Sequence, residues 1–496
     1  MPSRISDSQS QEDSLRDSAE NGVTNLSLET LSRSDSIPSH HLGVKPLGNQ
    51  YLSSAPSARR NTGYLQGLPD EMLMLALERL DKLSLQALAS TCKFFYALCE
   101  SEDLWKAVFL LQQAPRVDWR GSWRSTVLRF PSDYEPEIDC GSVFSDVIHR
   151  PFACANISLR PYAERIPKNN QIRRFTDLSY DEFAENWTEQ PFILTECIKD
   201  WPVLKQWTIN SLLEDFAKVE FRAEAVDWTF ATYCRYMSKN QDESPLYLFD
   251  RGFAEKMKLE IGETPNAAYW RPSCFGPDLF ELLGDERPAH RWLIIGPKRS
   301  GSTFHKDPNG TSAWNAVIQG SKYWIMFPPS TQVPGVYVSQ DSSEVTSPLS
   351  IAEWLLTFHE EARQLPECVE GVCHAGEILH VPSGWWHLVV NLEEGIALTQ
   401  NFVPQSPNLN LVSHVLSFLR DKADQVSGFR DDVQNPYVLF SERLREHKPD
   451  VLNQALKKLE EKAAKKRKWD EVVVSKEEES GGFSFGFGGG DNDDIP

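Results

Sequence analysis

Two residues near the middle of the chain, His305 and Asp307, stand two apart in Gly301-Ser302-Thr303-Phe304-His305-Lys306-Asp307, and Pro308-Asn309-Gly310 enforces a turn behind them. In an extended segment, residues two apart face the same way. A neutral imidazole nitrogen and a carboxylate oxygen can then take adjacent positions on one metal ion, with a third position left for another imidazole. The candidate for that third position is His387. It follows the strand-like run Gly376-Glu377-Ile378-Leu379-His380-Val381, the turn Pro382-Ser383-Gly384 and the pair Trp385-Trp386, and it opens a second strand, Leu388-Val389-Val390-Asn391. Two imidazoles and a carboxylate on one face of an octahedron leave three positions open, which suits Fe(II), a chelating 2-oxo acid and dioxygen. A histidine and an aspartate two apart arise by chance in long chains. Their pairing with the hairpin that delivers His387, in the same β-rich region, is what points to a metal.

The elements that must position these residues have β-type patterns. Trp292-Leu293-Ile294-Ile295, Trp314 to Ile318, Lys322 to Phe327, Glu377 to Val381, His387 to Leu392 and Ile396 to Val403 are separated by Gly, Pro, Asn and Ser turns. That is the signature of a many-stranded antiparallel barrel. Ahead of it, helical patterns such as Ser179 to Trp187 alternate with short β-type runs such as Pro191-Phe192-Ile193-Leu194, and residues 409–424 and 436–468 read as helices.

Several motifs in order carry a family resemblance. Gly296-Pro297-Lys298-Arg299-Ser300-Gly301, His305 to Asn315, Gln319-Gly320-Ser321-Lys322, Pro382-Ser383-Gly384-Trp385-Trp386-His387, Thr399-Gln400-Asn401-Phe402 and Pro245 to Asp250 resemble the Jumonji-C (JmjC) oxygenases, in the branch containing the bifunctional arginine demethylase and lysyl hydroxylase. The resemblance spans 166–405. It implies an α+β chain with a cupin-like double-stranded β-helix (jelly roll) and flanking helices. It also implies Fe(II) on His305, Asp307 and His387, with 2-oxoglutarate and O2 as co-substrates. By resemblance, Lys322 pairs with the distal carboxylate of 2-oxoglutarate, a task suited to a compact cation. Thr399, Asn315 and Tyr247 would hydrogen-bond around the same molecule, and Ser302 stands where near relatives have Thr. The implied reaction is oxidation of a C–H bond with release of succinate and carbon dioxide. On a side-chain carbon it yields a hydroxylated residue; on an N-methyl group the product collapses and releases formaldehyde. The other histidines read as structural: His380 as an interior or rim side chain, and His374, His359 and His290 as surface or loop residues. Trp385 and Trp386 read as barrel wall, the one beside His387 limiting solvent at the metal.

Leu68-Pro69-Asp70-Glu71 opens an amphipathic stretch in which Met72, Leu73, Leu75, Ala76, Leu77 and Leu80 crowd one helical face, with Pro69 suited to a first turn. Leu85, Leu88, Ala89, Cys92, Phe95 and Tyr96 recur at helical spacing after it, and Leu104-Trp105 supplies a plug. Residues 64–112 resemble an F-box, which implies a Skp adaptor and a cullin-RING ligase as partners. The alternative function is therefore a ubiquitin-ligase substrate receptor that uses the barrel for recognition alone.

The remainder divides into a Ser-rich tail over 1–60 expected to be disordered, a linker over 113–165 and C-terminal helices over 406–470. An acidic Gly/Phe-rich tail over 471–496 is also expected to be disordered. The basic run from Lys457-Lys458 to Lys465-Lys466-Arg467-Lys468 reads equally as a nuclear signal or a solvated helix end. A net charge of -20 argues against nucleic acid as a direct ligand and favours a basic protein substrate. Nine cysteines without a CxxC pair, no apolar leader and no long apolar run imply reduced thiols in nucleus or cytoplasm, no secretion and no membrane.

Overall fold

In a computed structural model the described residues are 37–112, 117–339, 344–348 and 350–479, with side chains described to 465 except at 112. The strands, in chain order, begin with β1 Arg173–Phe175, β2 Phe192–Leu194, β3 Glu220–Ala223, β4 Val226–Thr229 and β5 Leu248–Asp250. β6 Arg291–Gly296, β7 Gly301–His305, β8 Ser312–Gln319, β9 Ser321–Phe327, β10 Tyr337–Val338 and β11 Val345–Thr346 follow. The series closes with β12 Val369–His374, β13 Ile378–Val381, β14 Trp386–Asn391 and β15 Gly395–Phe402. Among the described residues they form a larger sheet in the order β1-β2-β13-β8-β15-β6-β5-β3-β4 and a four-stranded sheet in the order β12-β9-β14-β7. β10 and β11 make a separate pair. Apart from the parallel β1–β2 pair, neighbours in the two sheets run antiparallel.

Alternation along these strands sorts side chains into layers. β9, β14 and β15 are buried at every position, so both faces of each are covered. Trp314, Ala316, Ile318, Ile396 and Leu398 pack outward from the larger sheet against helices. Their neighbours Ala313 and Val317 meet Trp324, Met326 and Val389 from the smaller sheet in the space between the sheets. Tyr323, Ile325, Leu388 and Val390 face out the other way, onto Trp354 and Leu355 of the helix Ile351–Thr357. A period of two thus leaves one inward row per strand for chemistry.

The F-box-like stretch folds as helices Asp70–Leu77, Lys82–Ala89, Lys93–Cys99 and Glu102–Gln112. Pro69 sits at the N-cap of the first, and the Asp81 carboxylate caps the second by accepting from the Ser84 N–H at 2.8 Å. Trp105 is fully buried and donates its indole N–H to the Cys99 carbonyl at 2.7 Å.

Three segments depart from expectation. Residues 37–60, assigned to the disordered tail, are ordered: Leu42, Val44 and Ala58 are buried, and this segment pairs its backbone with 140–143, as in Cys140 N–H to Leu42 O at 2.7 Å. A polar average over sixty residues conceals three apolar contacts backed by backbone hydrogen bonds. Within 113–165, residues 117–165 are not a loose connection but carry the helices Trp123–Leu128, Asp146–Asn156 and Arg160–Glu164. Buried Trp119 and Trp123 tie this region to the oxygenase-like part by donating to Lys239 O at 2.7 Å and to Asp242 Oδ1 at 2.8 Å. One apolar cluster consequently runs from Leu73 and Phe109 of the F-box-like helices to Trp228 and Tyr236 beside the barrel. The C-terminal helices are Asn410–Asp421, Pro436–His447 and Pro449–Glu479, the last passing the expected boundary at 471. Residues 480–496 lie outside the described residues.

Candidate metal centre

β7 carries His305 at its end, and β14 pairs with it so that His387 lies directly across, with ring centroids 4.1 Å apart. Asp307 follows at the start of the turn. Ligand-type atoms of His305, Asp307 and His387 all lie within 4.8 Å of one another. The turn is held from outside the barrel. Asn309 is left-handed at φ 58°, a conformation asparagine tolerates, and its side chain donates to Ser427 O at 2.9 Å and accepts from Ser427 N–H at 3.0 Å. Ser383 donates to Gly310 O at 2.6 Å, joining this turn to the one before His387.

The imidazoles are oriented for ligation. His305 Nδ1 lies 2.8 Å from Thr303 O and His387 Nδ1 lies 3.1 Å from Trp385 O. A carbonyl only accepts, so each Nδ1 carries a proton and each Nε2 is the nitrogen left to meet a metal. Burial, with His305 alongside, holds His387 well below the usual imidazole range, that is, neutral. Asp307 is pushed up by burial, against His305 and an Asn401 hydrogen bond, and its Oδ2 is buried with no hydrogen-bond partner. An orphaned carboxylate oxygen beside two imidazoles, one of them held neutral by burial, is costly unless a cation meets it, so the donor set fits a divalent metal with nitrogen and oxygen preference.

Deeper in the lumen, Lys322 is 2 % exposed. Its ammonium donates to Asn391 Oδ1 at 2.9 Å and to the Tyr247 hydroxyl, with no carboxylate in its described contacts, and burial pushes it down to about 7. An unneutralised buried amine is a seat for an anion. Asn315 lies opposite Thr399 between β8 and β15, and its Oδ1 is buried without a partner. The Thr399 hydroxyl donates to Trp314 O at 2.8 Å, so it can offer a ligand lone pairs rather than the expected proton. Strict alternation back from His305 would turn Ser302 outward. A bulge between the His387 and Val389 pairings instead places Ser302 opposite Val389, which packs between the sheets.

Sequence reasoning missed Asn391 and Asn401. Asn391 receives Lys322 and donates to Ser300 Oγ at 3.0 Å; Asn401 donates to Thr311 Oγ1 at 2.8 Å and helps hold the Asp307 carboxyl down. The available signal was the period of two, since Asn391 stands four past His387 and Asn401 two past Thr399. Two expectations fail. His359 is not a surface residue but is 4 % exposed, within bonding distance of Tyr323 and Glu370 in a network with Arg363. Trp386 alternates away from His387 and packs outward beneath the Lys306 ammonium, 4.5 Å from its ring centre. The aromatic beside His387 is Trp324, at 6.0 Å. His380 lies buried against Phe183, Phe192 and Phe275, where desolvation pushes it down to about 3, while His374 is exposed and His290 half-buried.

Comparison with known proteins agrees with this geometry. A cupin-like domain matches residues 212–408 and an F-box-like domain matches 65–111. The arginine-specific demethylase JMJ22 of Arabidopsis thaliana is 38% identical over 91% of this chain and 89% of its own length. The bifunctional arginine demethylase and lysyl-hydroxylase psr-1 of Caenorhabditis elegans is 35% identical over 50% of this chain and 64% of its own. The 2-oxoglutarate and iron-dependent oxygenase JMJD4 of Danio rerio is 28% identical over 50% and 63%. With a metal-ready His-Asp-His cluster and a buried lysine inside a barrel of this kind, the chain belongs to the cupin-like JmjC family of iron- and 2-oxoglutarate-dependent oxygenases and carries an F-box-like module at its N-terminal side.

Proposed function

We propose that the chain is an Fe(II)- and 2-oxoglutarate-dependent dioxygenase that hydroxylates or N-demethylates a side chain of a basic protein substrate. The observation that carries this reading is the shared lumen: an orphaned Asp307 oxygen beside two imidazoles, and an unneutralised Lys322 deeper in the barrel. A module that only recognises a partner has no reason to bear both desolvation costs. His305, Asp307 and His387 would hold the iron, and Lys322 with Tyr247 would take the distal carboxylate of 2-oxoglutarate. Asn315, Thr399 and Ser302 would border the same molecule. Bound iron with 2-oxoglutarate and O2 supplies an oxidant able to cleave a C–H bond, with succinate and carbon dioxide as products. The residues' own part is to orient and exclude. Thr303 and Trp385 carbonyls fix the imidazole tautomers, Asn401 steadies Asp307, and Trp324 limits water beside His387.

The test uses the full chain, because the F-box-like helices share a core with the barrel. Wild-type protein with Fe(II) and 2-oxoglutarate is expected to form succinate, and His387→Ala to form none above background. Peptides gaining one oxygen or losing one methyl group with formaldehyde separate the two outcomes. Wild-type protein that makes no succinate under any condition overturns the reading.

A second reading is favoured by one observation. Tyr64, Leu65, Leu68, Met72, Leu75 and Leu83 are 40 to 106% exposed on the F-box-like module, apolar side chains of the kind a Skp adaptor would cover. The oxygenase would then be delivered to, or regulated through, a cullin-RING ligase. A nuclear location is proposed on the basic run ending at Lys468, and loss of nuclear retention on neutralising it would support that.

A further inference from the structure

A cavity of about 360 Å3 opens on His305. Of the residues assigned to 2-oxoglutarate only Ser302 lines it; Lys322, Tyr247, Asn315 and Thr399 do not. It is distinct from the co-substrate seat, meets the triad through His305 alone, and is large enough for one long side chain. Three charged residues besides His305 line it: Arg299, Glu224 and Glu243. The guanidinium of Arg299 is turned to backbone. It donates to the carbonyls of Ala155, of Cys154 at 2.6 Å and of Glu243 at 3.0 Å. The carboxylates are clamped at one oxygen each. Glu224, at the left-handed turn between β3 and β4 with φ 49°, accepts from the Tyr247 N–H at 3.0 Å. Its other oxygen carries no hydrogen bond among the described residues. Glu243 accepts from Arg150 at 2.8 Å and from Ser350 at 2.6 Å, both on Oε1.

We propose that Glu224, backed by Glu243, is the specificity-determining residue that selects a cationic side chain for oxidation at the triad: a guanidinium, an ammonium, or an N-methylated form of either. This rests on the oxygenase reading above. A preoriented carboxylate in a partly dry cavity binds a cation through charge-assisted hydrogen bonds. A neutral isostere leaves that carboxylate desolvated and unpaired, which is what makes such a site discriminating. N-methylation keeps the charge, so a methylated substrate still satisfies Glu224 while presenting its methyl group toward the metal. The clamp on Glu224 is the backbone N–H of Tyr247, whose hydroxyl meets Lys322, so the cation-reading carboxylate and the co-substrate seat are fastened to one residue. The F-box-like module also reaches this rim. Lys106 lies 3.9 Å from Asp242 and its charge acts on Glu224, offsetting part of the acidity a substrate cation would meet.

The test measures binding of small probes to the full chain loaded with Mn(II) and 2-oxoglutarate, by ligand-observed NMR. The probes are Nα-acetyl amides of arginine, Nω-methylarginine and lysine, with citrulline as the neutral isostere of arginine. Wild-type protein is expected to bind the cationic probes about ten- to a hundredfold more tightly than citrulline. Glu224→Gln should bring that ratio close to one, Glu224→Asp should restore part of it, and Glu243→Gln should reduce it less. The ratio guards against a folding defect, which weakens all probes together, and the wild-type preference stands without any variant. Equal binding of arginine and citrulline probes by wild-type protein, or a Glu224→Gln protein that keeps the preference, overturns the proposal. Succinate formation by the Fe(II)-loaded wild-type protein, with 2-oxoglutarate and with or without candidate peptides, tests the oxygenase reading separately. If succinate forms but no cationic preference exists, the proposal alone falls; if none forms, the oxygenase reading falls and takes the proposal with it.

Discussion

On the F-box-like helices, Met72 and Leu75 stand 54% and 55% exposed, whereas in the barrel Lys322 and His387 are 2% and 3% exposed. One region shows apolar groups to water and the other withholds ionisable groups from it. Each costs free energy in the isolated chain, and each cost is relieved by a different kind of partner. An apolar patch asks for a shape-matched apolar surface; an imidazole pair with an orphaned carboxylate asks for a cation. The two regions share one core, so they can be perturbed separately only through the residues that make these unsatisfied faces.

The largest expected effect comes from breaking the barrel side. His387→Ala should abolish Mn(II) binding measured by electron paramagnetic resonance, and lower succinate formation by about a thousandfold or more, since a two-ligand site loses most of its affinity. Adaptor capture by the same protein should not change. Retained metal binding would mean the cluster is not the site.

The converse is Leu75→Glu. It should weaken capture of a Skp adaptor by about thirtyfold, as for a central apolar contact, while shifting unfolding by no more than about 0.5 kcal/mol because the side chain is exposed. Unchanged capture in a pull-down titration would assign the patch to another use.

Asn401→Ala sharpens the barrel side without touching a ligand. Metal affinity should fall about ten- to a hundredfold, the usual scale for losing a contact that orients a ligand, and calorimetric titration with Mn(II) reads it directly.

A further effect, on stability and not on a ligand, is in the pH profile of the metal-free protein. Lys322 sits near 7 when folded and at the ordinary 10.5 when unfolded. Between those values the unfolded chain holds the proton and the folded one does not, so stability contributed by this group rises with pH across that window. Lys322→Met should remove that rise, of at most about 1.4 kcal/mol per pH unit, and should make the protein more stable than wild type near pH 6. It should also abolish thermal stabilisation by 2-oxoglutarate. Scanning fluorimetry from pH 6 to 9.5 checks both.

Residue type and short-range spacing made much of this readable. The histidine and aspartate two apart, the turn ahead of His387 and the apolar rows of the strands are local patterns, and local patterns survive in one dimension. Asn391 and Asn401 were passed over because neutral amides are ordinary in strands, and only their register with His387 and Asp307 gives them meaning. The order of residues 37–60 and 117–165 was equally hidden. It depends on a few large contacts, such as Trp119 with Lys239 and Trp123 with Asp242, made across more than a hundred residues.

The sequence by itself therefore determined the donor set, the β-rich barrel that must carry it and the amphipathic helices before it, because side-chain chemistry and periodicity are properties of neighbouring residues. Only the tertiary structure decided that a bulge turns Ser302 inward, that Trp324 rather than Trp386 borders His387, and that the F-box-like helices are welded to the barrel. Those facts depend on register and packing between distant segments, which no local pattern encodes.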